Sequence, residues 1–278
     1  MNKLNRRDAL RIAGVGIGAA LTGAASKVAL AAESPVANPA LVESGEAWKY
    51  AIIDPDKVAR DAYRDYHIGH CMHTTFMSIV RNVGEELAKT DPLAGNAVLS
   101  FPFHMFHYGS SGGNGWGSLC GSLNGALAAI NLFCGSEKTL KALCDELGNY
   151  YEKTMFPIFV PDDAEPMPQT ISGSILCHVS SGKWCSIAKV RTDSPERTDR
   201  CSRLSADIAK KAAELLNLNV AQLNAEEPVP IVALKRPEPA ATCVKCHSKG
   251  GENSDVIGKM TCNECHPEKT VDHHLTKR

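Results

Sequence analysis

The C-terminal part of the chain carries two copies of one cysteine–histidine pattern. The first copy is Cys243-Val244-Lys245-Cys246-His247 and the second is Cys262-Asn263-Glu264-Cys265-His266. Two thiols at this spacing can form thioether bonds with the two vinyl groups of one porphyrin, and the histidine that follows then binds the iron. The pattern therefore predicts two covalently attached c-type haems, with His247 and His266 as their proximal ligands. The attachment residues would be Cys243, Cys246, Cys262 and Cys265.

The same four cysteines also fit a different metal site. Two C-x-x-C pairs have the ligand spacing of a zinc ribbon. In a zinc ribbon, however, His247 and His266 would have no role, and the N-terminus of the chain has the features of an export signal. We therefore favour haem over zinc.

The two haems are expected to lie close together. His247 and His266 are only 19 residues apart, and a tail of roughly 40 residues is too small to enclose two porphyrins by itself. The haems must therefore pack on the rest of the chain, on a partner subunit or on each other.

Other histidines can supply the second axial ligand of each iron. The chain has ten histidines, two of them in the motifs. We expect both irons to be bis-histidine, low-spin and closed to substrates, and a distal ligand can come from the other subunit of a two-fold dimer. For histidines in the helical part, the alternative to binding iron is a structural role between packed helices. The candidate distal ligands are His273 and His274, nearest to the second motif, and then His104, His107, His70 and His73.

Seven further cysteines indicate a second redox site. An odd number in an exported chain argues against complete pairing into disulfides. Cys120 follows a glycine-rich loop, 109–117, and is expected in the first turn of a helix. The free N–H groups of a first helical turn favour an anion, and the cysteine makes an anionic sulfur centre the expected one. Phosphate is the other anion that a glycine-rich loop can bind, but the Lys-Ser/Thr of a phosphate-binding loop is absent. The other six are Cys71, Cys134, Cys144, Cys177, Cys185 and Cys201.

The N-terminus has the pattern of a twin-arginine export signal. Arg6 and Arg7 precede an apolar, glycine-rich run, and a small-residue stretch ends it near Ala31 or Ala32. An uncleaved membrane anchor is the alternative, but the run is short and Lys27 interrupts it. Proteins that use this route cross the membrane folded, often with a cofactor already in place. We therefore expect a periplasmic protein with a cofactor besides haem, such as an iron–sulfur cluster.

Charge and motifs limit the remaining classes of function. The formal net charge of -1 gives no reason to expect a nucleic acid or a membrane surface as partner. No Ser-His-Asp set, carboxylate pair or nucleotide-binding loop is present, so we assign no catalytic residues. Redox proteins are the expected partners, and no stable membrane insertion is expected once the signal is removed.

The candidate residues are expected to be positioned by a mainly α fold. A long helix is predicted from about Pro55 to Lys89, with Asp54 as N-cap and a histidine-bearing stripe along one side. A second, buried helix is predicted to begin at Ser118 and end at Gly135.

Two more helices are predicted further along the chain. One is capped by Ser136 and ends near Met155, and the last covers 195–217 with Cys201 at the start of its buried stripe. Residues 157–172 are expected to be irregular. Cys177 and Cys185 fall in a short segment around Gly182 to which no helix is assigned.

The predicted organisation has four parts. These are a signal peptide at 1–32, a helical cysteine-rich domain at 33–224, a proline-rich linker at 225–241 and a dihaem segment at 242–278.

Three segments together resemble a known family. They are the stretch from Cys71 to Phe76, the block from Gly115 to Ala126 around Cys120, and the later cysteines Cys177, Cys185 and Cys201. They are similar to the C-GCAxxG-C-C redox family, although the literal G-C-A-x-x-G is replaced by a variant. With the dihaem tail, the resemblance is closest to the split-Soret group of cytochromes c of sulfate-reducing bacteria.

The resemblance implies a mainly helical dimer with two neighbouring haems per subunit. It also implies an iron–sulfur centre in the helical domain, for which a 2Fe-2S cluster is one candidate type. The positions that match the family's cysteines are Cys71, Cys120, Cys177, Cys185 and Cys201. Cys134 and Cys144 have no counterpart and are expected to be buried apolar thiols.

The expected function is electron transfer in the periplasm, with haems and cluster as a relay. The competing hypothesis is an enzyme, namely a thiol–disulfide or metal/oxyanion reductase that reacts at the cysteines and receives electrons from the haems. In a third reading the helical domain is a structural platform and its cysteines have lost their role.

Overall fold

The structure is a computed structural model that describes residues 46–224, 240–254, 258–262 and 264–266. It confirms the prediction of a mainly α fold. The described helices are α1 (Pro55–Arg64), α2 (Tyr66–Ala88), α3 (Pro92–Leu99), α4 (Gly121–Phe133), α5 (Glu137–Lys153), α6 (Cys177–Ala188), α7 (Pro195–Leu218) and α8 (Ala240–His247). Short 3-10 helices cover Phe103–Gly109 and Val220–Gln222, and strands β1 (Met155–Phe156) and β2 (Thr170–Ile171) pair antiparallel.

Several predicted features lie outside the described residues. They include the signal peptide at 1–32, most of the linker predicted at 225–241, and the candidate ligands His273 and His274. The linker's last two residues already belong to α8. None of the described helices is long and apolar enough to cross a membrane.

The core forms where α2, α4 and α7 meet. Helix α2 packs on α4, and α7 packs against α1, α2 and α4. The close approach of α2 and α4 depends on Gly125, because a β-carbon there would lie 2.4 Å from the carbonyl oxygen of Met72. The most deeply buried core side chains include Phe76, Ile79, Leu123, Ile130 and Leu204. Three of the candidate cysteines lie on these packed helices or at their start, namely Cys71 on α2, Cys120 at the start of α4 and Cys201 on α7.

The single helix predicted from Pro55 to Lys89 is wrong in one respect. Asp54 caps it as predicted and accepts a hydrogen bond from the Asp56 backbone N–H, but the helix is interrupted at Asp65, and Gly69 and His70 are non-helical. A β-carbon on Gly69 would lie 2.4 Å from the rings of His73 and His107. The interruption therefore brings the backbone close to these imidazoles, which the periodicity of the sequence does not reveal.

Two further predictions need correction. Helix α4 begins at Gly121 with Cys120 as N-cap residue, rather than at Ser118. Ser118 instead donates its hydroxyl to the carbonyl of Gly112 within the glycine-rich loop. The segment around Gly182 is helix α6, although its serines and glycine have low helix propensity. Packing of Trp184, which is 1% exposed, accounts for the helix, since tertiary contacts override weak propensity.

The other two helix predictions are confirmed. Ser136 caps α5 and accepts a hydrogen bond from the Thr139 N–H, and α7 runs from Pro195 to Leu218. On α7 the predicted stripe is buried from Leu204 onward, while Cys201 is half-buried at its start.

Candidate redox site

Four cysteines from four parts of the fold line one cavity of about 20 Å³. Cys71 comes from α2, Cys120 is the N-cap residue of α4, Cys177 is the first residue of α6, and Cys201 lies on α7. We call this space the cysteine cavity. The other side chains that line it are Tyr66, Ser111, Ser122, Tyr151, Ser180, Ser181, Arg197, Arg200 and Leu204. Sequence reasoning predicted the four cysteines but none of these other residues.

A short backbone pairing places Cys120 beside Cys177. Leu119 and Leu176 form an antiparallel bridge. Next to it, the Cys120 N–H donates to the Ile175 carbonyl at 2.9 Å, and the Cys177 N–H donates to the Ser118 carbonyl at 2.7 Å. The N-termini of α4 and α6 therefore lie side by side, and each presents a cysteine.

Two glycines allow the chain to close around the cysteine cavity. Gly112 has a φ of +70°, and a β-carbon there would lie 2.8 Å from the β-carbon of Cys177. A β-carbon on Gly121 would lie 2.3 Å from the sulfur of Cys71. A larger residue at either position would push a cysteine out of place, which explains why glycine follows Cys120 where the family motif has alanine.

The cavity thiols are buried close to one another. Burial raises the pKa of Cys71, and charge interactions with Cys120 and Cys201 raise it further. Burial, Cys120 and Cys201 likewise raise the pKa of Cys177 to about 12, although Arg200 and Arg197 lower it. Cys71 and Cys177 are therefore protonated at neutral pH, and a bound metal would have to displace their protons.

Cys185 is close to this group but does not line the cavity. It is 5% exposed on α6, and its sulfur lies 3.9 Å from the Arg191 carbonyl oxygen. Burial raises its pKa, and Cys201 contributes to the rise. The structure thus brings four of the five predicted iron–sulfur candidates around one space and leaves the fifth beside it.

Cys134 and Cys144 lie outside the cysteine cavity. The Cys134 thiol is buried and lies 3.4 Å from the carbonyl oxygens of Ser136 and Leu223. Cys144 is half-buried on α5, and burial raises its pKa to about 11. Cys134 is thus buried as the sequence predicted, whereas Cys144 is only half-buried.

The cavity fits a thiolate-bound iron centre in its chemistry. Thiolates are the usual ligands of iron–sulfur clusters. Two buried polar atoms of the lining, Arg200 Nε and Tyr151 Oη, have no hydrogen-bond partner among the described residues. In the same part of the chain, no three His, Cys, Asp or Glu side chains are arranged to hold a metal ion together. The donor set is therefore present, and its thiols do not converge on one point.

A second group combines histidines from α2 and the first 3-10 helix. The ring of His107 lies 4.5 Å from that of His73 and 4.2 Å from that of His104, between centroids. His70 is exposed and its ring contacts Tyr66, whose phenol lines the cysteine cavity. We call His70, His73, His104 and His107 the histidine group.

The surroundings of His73 and His107 favour the neutral form of these two imidazoles. His73 is 3% exposed, its Nδ1 has no hydrogen-bond partner in the described structure, and burial lowers its pKa to about 4. Burial and the neighbouring histidines also lower the pKa of His107. A neutral imidazole is the form that binds iron.

Both C-x-x-C-H motifs form helical turns. Cys243 and Cys246 are three residues apart on α8, so they share one helix face. In the second motif the N–H groups of Cys265 and His266 donate to the Cys262 carbonyl at 3.2 and 2.9 Å. Each turn thus places two thiols on the same side, with a histidine next to them, and this arrangement fits covalent haem.

The second motif is bound to the helical domain by three polar contacts. Glu264 forms an ion pair of 2.6 Å with Lys183 of α6. Thr261 donates to the Glu152 carboxylate of α5 through its N–H at 3.2 Å and its hydroxyl at 3.3 Å. Lys259 pairs with Asp145, also on α5. We call these the tail contacts, and one of them reaches the helix that carries Cys177 and Cys185.

Comparisons with known proteins agree with this site. The family model "Putative redox-active protein (C_GCAxxG_C_C)" matches residues 94–215. The chain is 35% identical over 276 residues to split-Soret cytochrome c of Desulfovibrio desulfuricans, covering 95% of this chain and 94% of that protein. A solved structure described as a novel iron centre in the split-Soret cytochrome c of the same organism superposes with a TM-score of 0.69 at 32% identity. That match covers 81% of this chain and 92% of the other.

Proposed function

Because this chain belongs to the split-Soret cytochrome c family, we propose that it is an electron-transfer protein with two c-type haems and an iron–sulfur centre. The residues that would hold the haems are Cys243, Cys246, Cys262 and Cys265, with His247 and His266 as proximal ligands. The thiolates for the second centre would come from Cys71, Cys120, Cys177 and Cys201, with Cys185 beside them. When bound, these groups supply one-electron chemistry.

The observation that carries this proposal is the placement of the cysteine cavity relative to the tail. Helix α6 contributes Cys177 to the cavity lining and, through Lys183, holds Glu264 of the second C-x-x-C-H motif. One rigid element thus connects the two redox sites. This arrangement brings the second C-x-x-C-H motif close to the helix that carries Cys177, and electron exchange between two centres is faster the closer they lie.

The histidine group supports closed, bis-histidine haems. His70 and His104 are exposed, and apolar side chains in the same two segments are exposed with them, namely Ile68, Met105 and Tyr108. A porphyrin packed on this face would bury apolar surface and meet a neutral imidazole. We propose that a haem of this chain or of the partner subunit in a homodimer occupies this face.

Export by the twin-arginine route to the periplasm belongs to the same proposal, with a signal peptide at 1–32 and the dihaem segment at 242–278. A folded, cofactor-loaded helical domain is the kind of cargo that this route transports. Haem attachment to both motifs would follow export.

One anaerobic experiment tests the proposed function. Mass spectrometry of the exported protein should show the chain plus two haems, and non-haem iron with acid-labile sulfide should be present. Electron paramagnetic resonance should show low-spin haem, and dithionite-reduced protein should not bind carbon monoxide. The apoprotein mass alone, or ready binding of carbon monoxide, would contradict the proposal.

A specific observation also supports a second candidate function, a reductase that reacts at the cavity cysteines. The thiols of Cys71 and Cys177 are protonated, and no three described Cys, His or acidic side chains are arranged around one metal position. Both facts would also suit a dithiol that reduces a disulfide or an oxyanion. Such an enzyme would have titratable thiols and no sulfide-bound iron. The analysis of iron and sulfide therefore separates the two functions.

A further inference from the structure

Arg200 is a buried cation without an ion-pair partner. It is 2% exposed on α7. Its Nη2 donates to the Ser180 hydroxyl at 2.9 Å, and its Nε has no hydrogen-bond partner within the described ranges. No described carboxylate lies within 4.0 Å of its guanidinium. Since arginine stays protonated in proteins, a full positive charge is enclosed here without compensation, which is strongly unfavourable.

The neighbours of Arg200 do not provide the missing negative charge. The side chains that line the cavity with Arg200 are cysteines, serines, tyrosines, Arg197 and Leu204, and no carboxylate is among them.

Asp207 is a carboxylic acid whose pKa is lowered by the charge of Arg200. It lies two turns further along α7 and accepts the backbone N–H groups of Ile158 and Phe159, both at 2.8 Å. Burial raises its pKa to about 7, although these hydrogen bonds, Arg200 and Lys210 lower it. Asp207 is thus engaged elsewhere and only partly ionised at neutral pH.

We propose that Arg200 is the counter-ion of an anionic iron–thiolate centre in the cysteine cavity and sets the reduction potential of that centre. The inference rests on the proposed function for the existence of the centre. A centre in which four thiolates bind an iron–sulfide core has a net negative charge, and Arg200 would lie beside that charge as its counter-ion.

The same charge acts on the redox equilibrium. A reduced haem or dithionite, as one-electron donor, adds one negative charge to the cavity without a proton. A fixed cation beside the cavity stabilises the reduced form more than the oxidised form. Arg200 therefore raises the reduction potential, whereas Arg197, which is half-exposed and donates to the Thr192 carbonyl at 2.5 Å, is partly screened by solvent.

Three variants of the full haem-bearing protein test this role. Arg200→Met removes the charge and keeps much of the volume, while Arg200→Lys keeps the charge. Arg203→Met is the matched control, because Arg203 is also buried on α7 but pairs with Asp199 at 3.0 Å and does not line the cavity. Each variant is measured with its non-haem iron in place and after a chelator has removed that iron under reducing conditions.

The midpoint of thermal unfolding should change with opposite sign in the two states of Arg200→Met. With iron bound the midpoint should fall, because the anionic centre has lost its counter-ion. Without iron it should rise or stay constant, because an uncompensated charge is gone. Arg203→Met should lower the midpoint by a similar amount in both states.

The reduction potential of the non-haem centre gives a second readout. It should shift to more negative values in Arg200→Met and stay near the wild-type value in Arg200→Lys and Arg203→Met, with the haem potentials as internal reference. Loss of non-haem iron from Arg200→Met alone would also support the proposal.

Two results would overturn the proposal, and they are distinguishable. If wild-type protein contains the centre but Arg200→Met behaves like Arg203→Met, Arg200 is not its counter-ion and the proposed function stands. If wild-type protein contains no iron beyond its haems, the iron–sulfur part of the proposed function fails and the counter-ion role fails with it.

Discussion

At the scale of single residues, the cysteine cavity separates two kinds of thiol. Cys71, Cys120, Cys177 and Cys201 line it, whereas Cys134 is as buried as Cys71 and Cys120 but contacts the backbone carbonyls of Ser136 and Leu223 instead. Burial alone therefore does not single out the candidate redox cysteines. Their shared cavity with a buried cation does.

The first prediction follows from this difference. Cys120→Ser and Cys177→Ser should each lose most of the non-haem iron, because serine is a poor ligand for iron where thiolate is needed. Cys134→Ser should keep it and lose only stability, by about 1–2 kcal/mol. Iron and acid-labile sulfide per chain are the measurement, with two covalent haems retained in all variants. Full iron content in both cavity variants would contradict the assignment.

A second prediction concerns the exposed members of the histidine group, His70 and His104. An iron outside the helical domain can reach them more readily than the buried His73. Alanine at one of these two positions should leave a five-coordinate haem that binds carbon monoxide after reduction. His178→Ala is the control, since His178 is exposed but outside the group. Unchanged low-spin spectra in both variants would exclude His70 and His104 as distal ligands.

A third prediction concerns Asp207 and pH. Its pKa is raised by burial from 3.8 to about 7 in the folded chain. Below both values the acid is protonated in the folded and unfolded states, so it adds no dependence on pH. Between them only the unfolded state ionises, so stability falls as pH rises from about 4 to 7, by an amount on the order of 2–4 kcal/mol.

Urea unfolding of wild type and Asp207→Asn at a series of pH values measures this effect. The difference in unfolding free energy between the two proteins should decline across that interval and be constant above it. A difference that is independent of pH would show that Asp207 is ionised throughout, as its two hydrogen bonds to backbone N–H groups would favour.

At the scale of elements, α6 is the part of the fold that joins the two candidate redox sites. It supplies Cys177 to the cavity and Lys183 to the tail contacts. The sequence did not reveal this helix, because serines and a glycine interrupt the pattern of its apolar residues. Its role was therefore visible only when the tail was seen to rest on it.

The fourth prediction tests the tail contacts. Lys183→Gln should weaken the hold on the second haem motif by about 0.5–1 kcal/mol, as expected for a partly exposed ion pair. Amide hydrogen exchange in 258–266 should become a few-fold faster. The control is Arg191→Gln, which breaks the exposed pair with Asp193 and should leave exchange in the tail unchanged. Equal exchange in Lys183→Gln and wild type would show that Glu264 does not depend on Lys183.

At the scale of the whole molecule, sequence reasoning predicted helix ends that depend on local caps better than helix ends that depend on distant side chains. Caps at Asp54 and Ser136 follow local rules, so the starts of α1 and α5 were predictable. The interruption at Gly69 and the start of α4 at Gly121 were not, because each is determined by a side chain distant in the sequence. Arg200 and Tyr151 were missed for the same reason, since nothing local distinguishes them from ordinary helix residues.

The bridge between Leu119 and Leu176 has a consequence for the stage of folding at which the chain could take up iron. The cavity cysteines come from positions as far apart as 71 and 201, and this bridge holds the segments of Cys120 and Cys177 side by side. A truncated or misfolded chain cannot form the cysteine cavity. Uptake of iron would then work as a checkpoint of completed synthesis, because a chain that has acquired the metal must already have reached its mature shape.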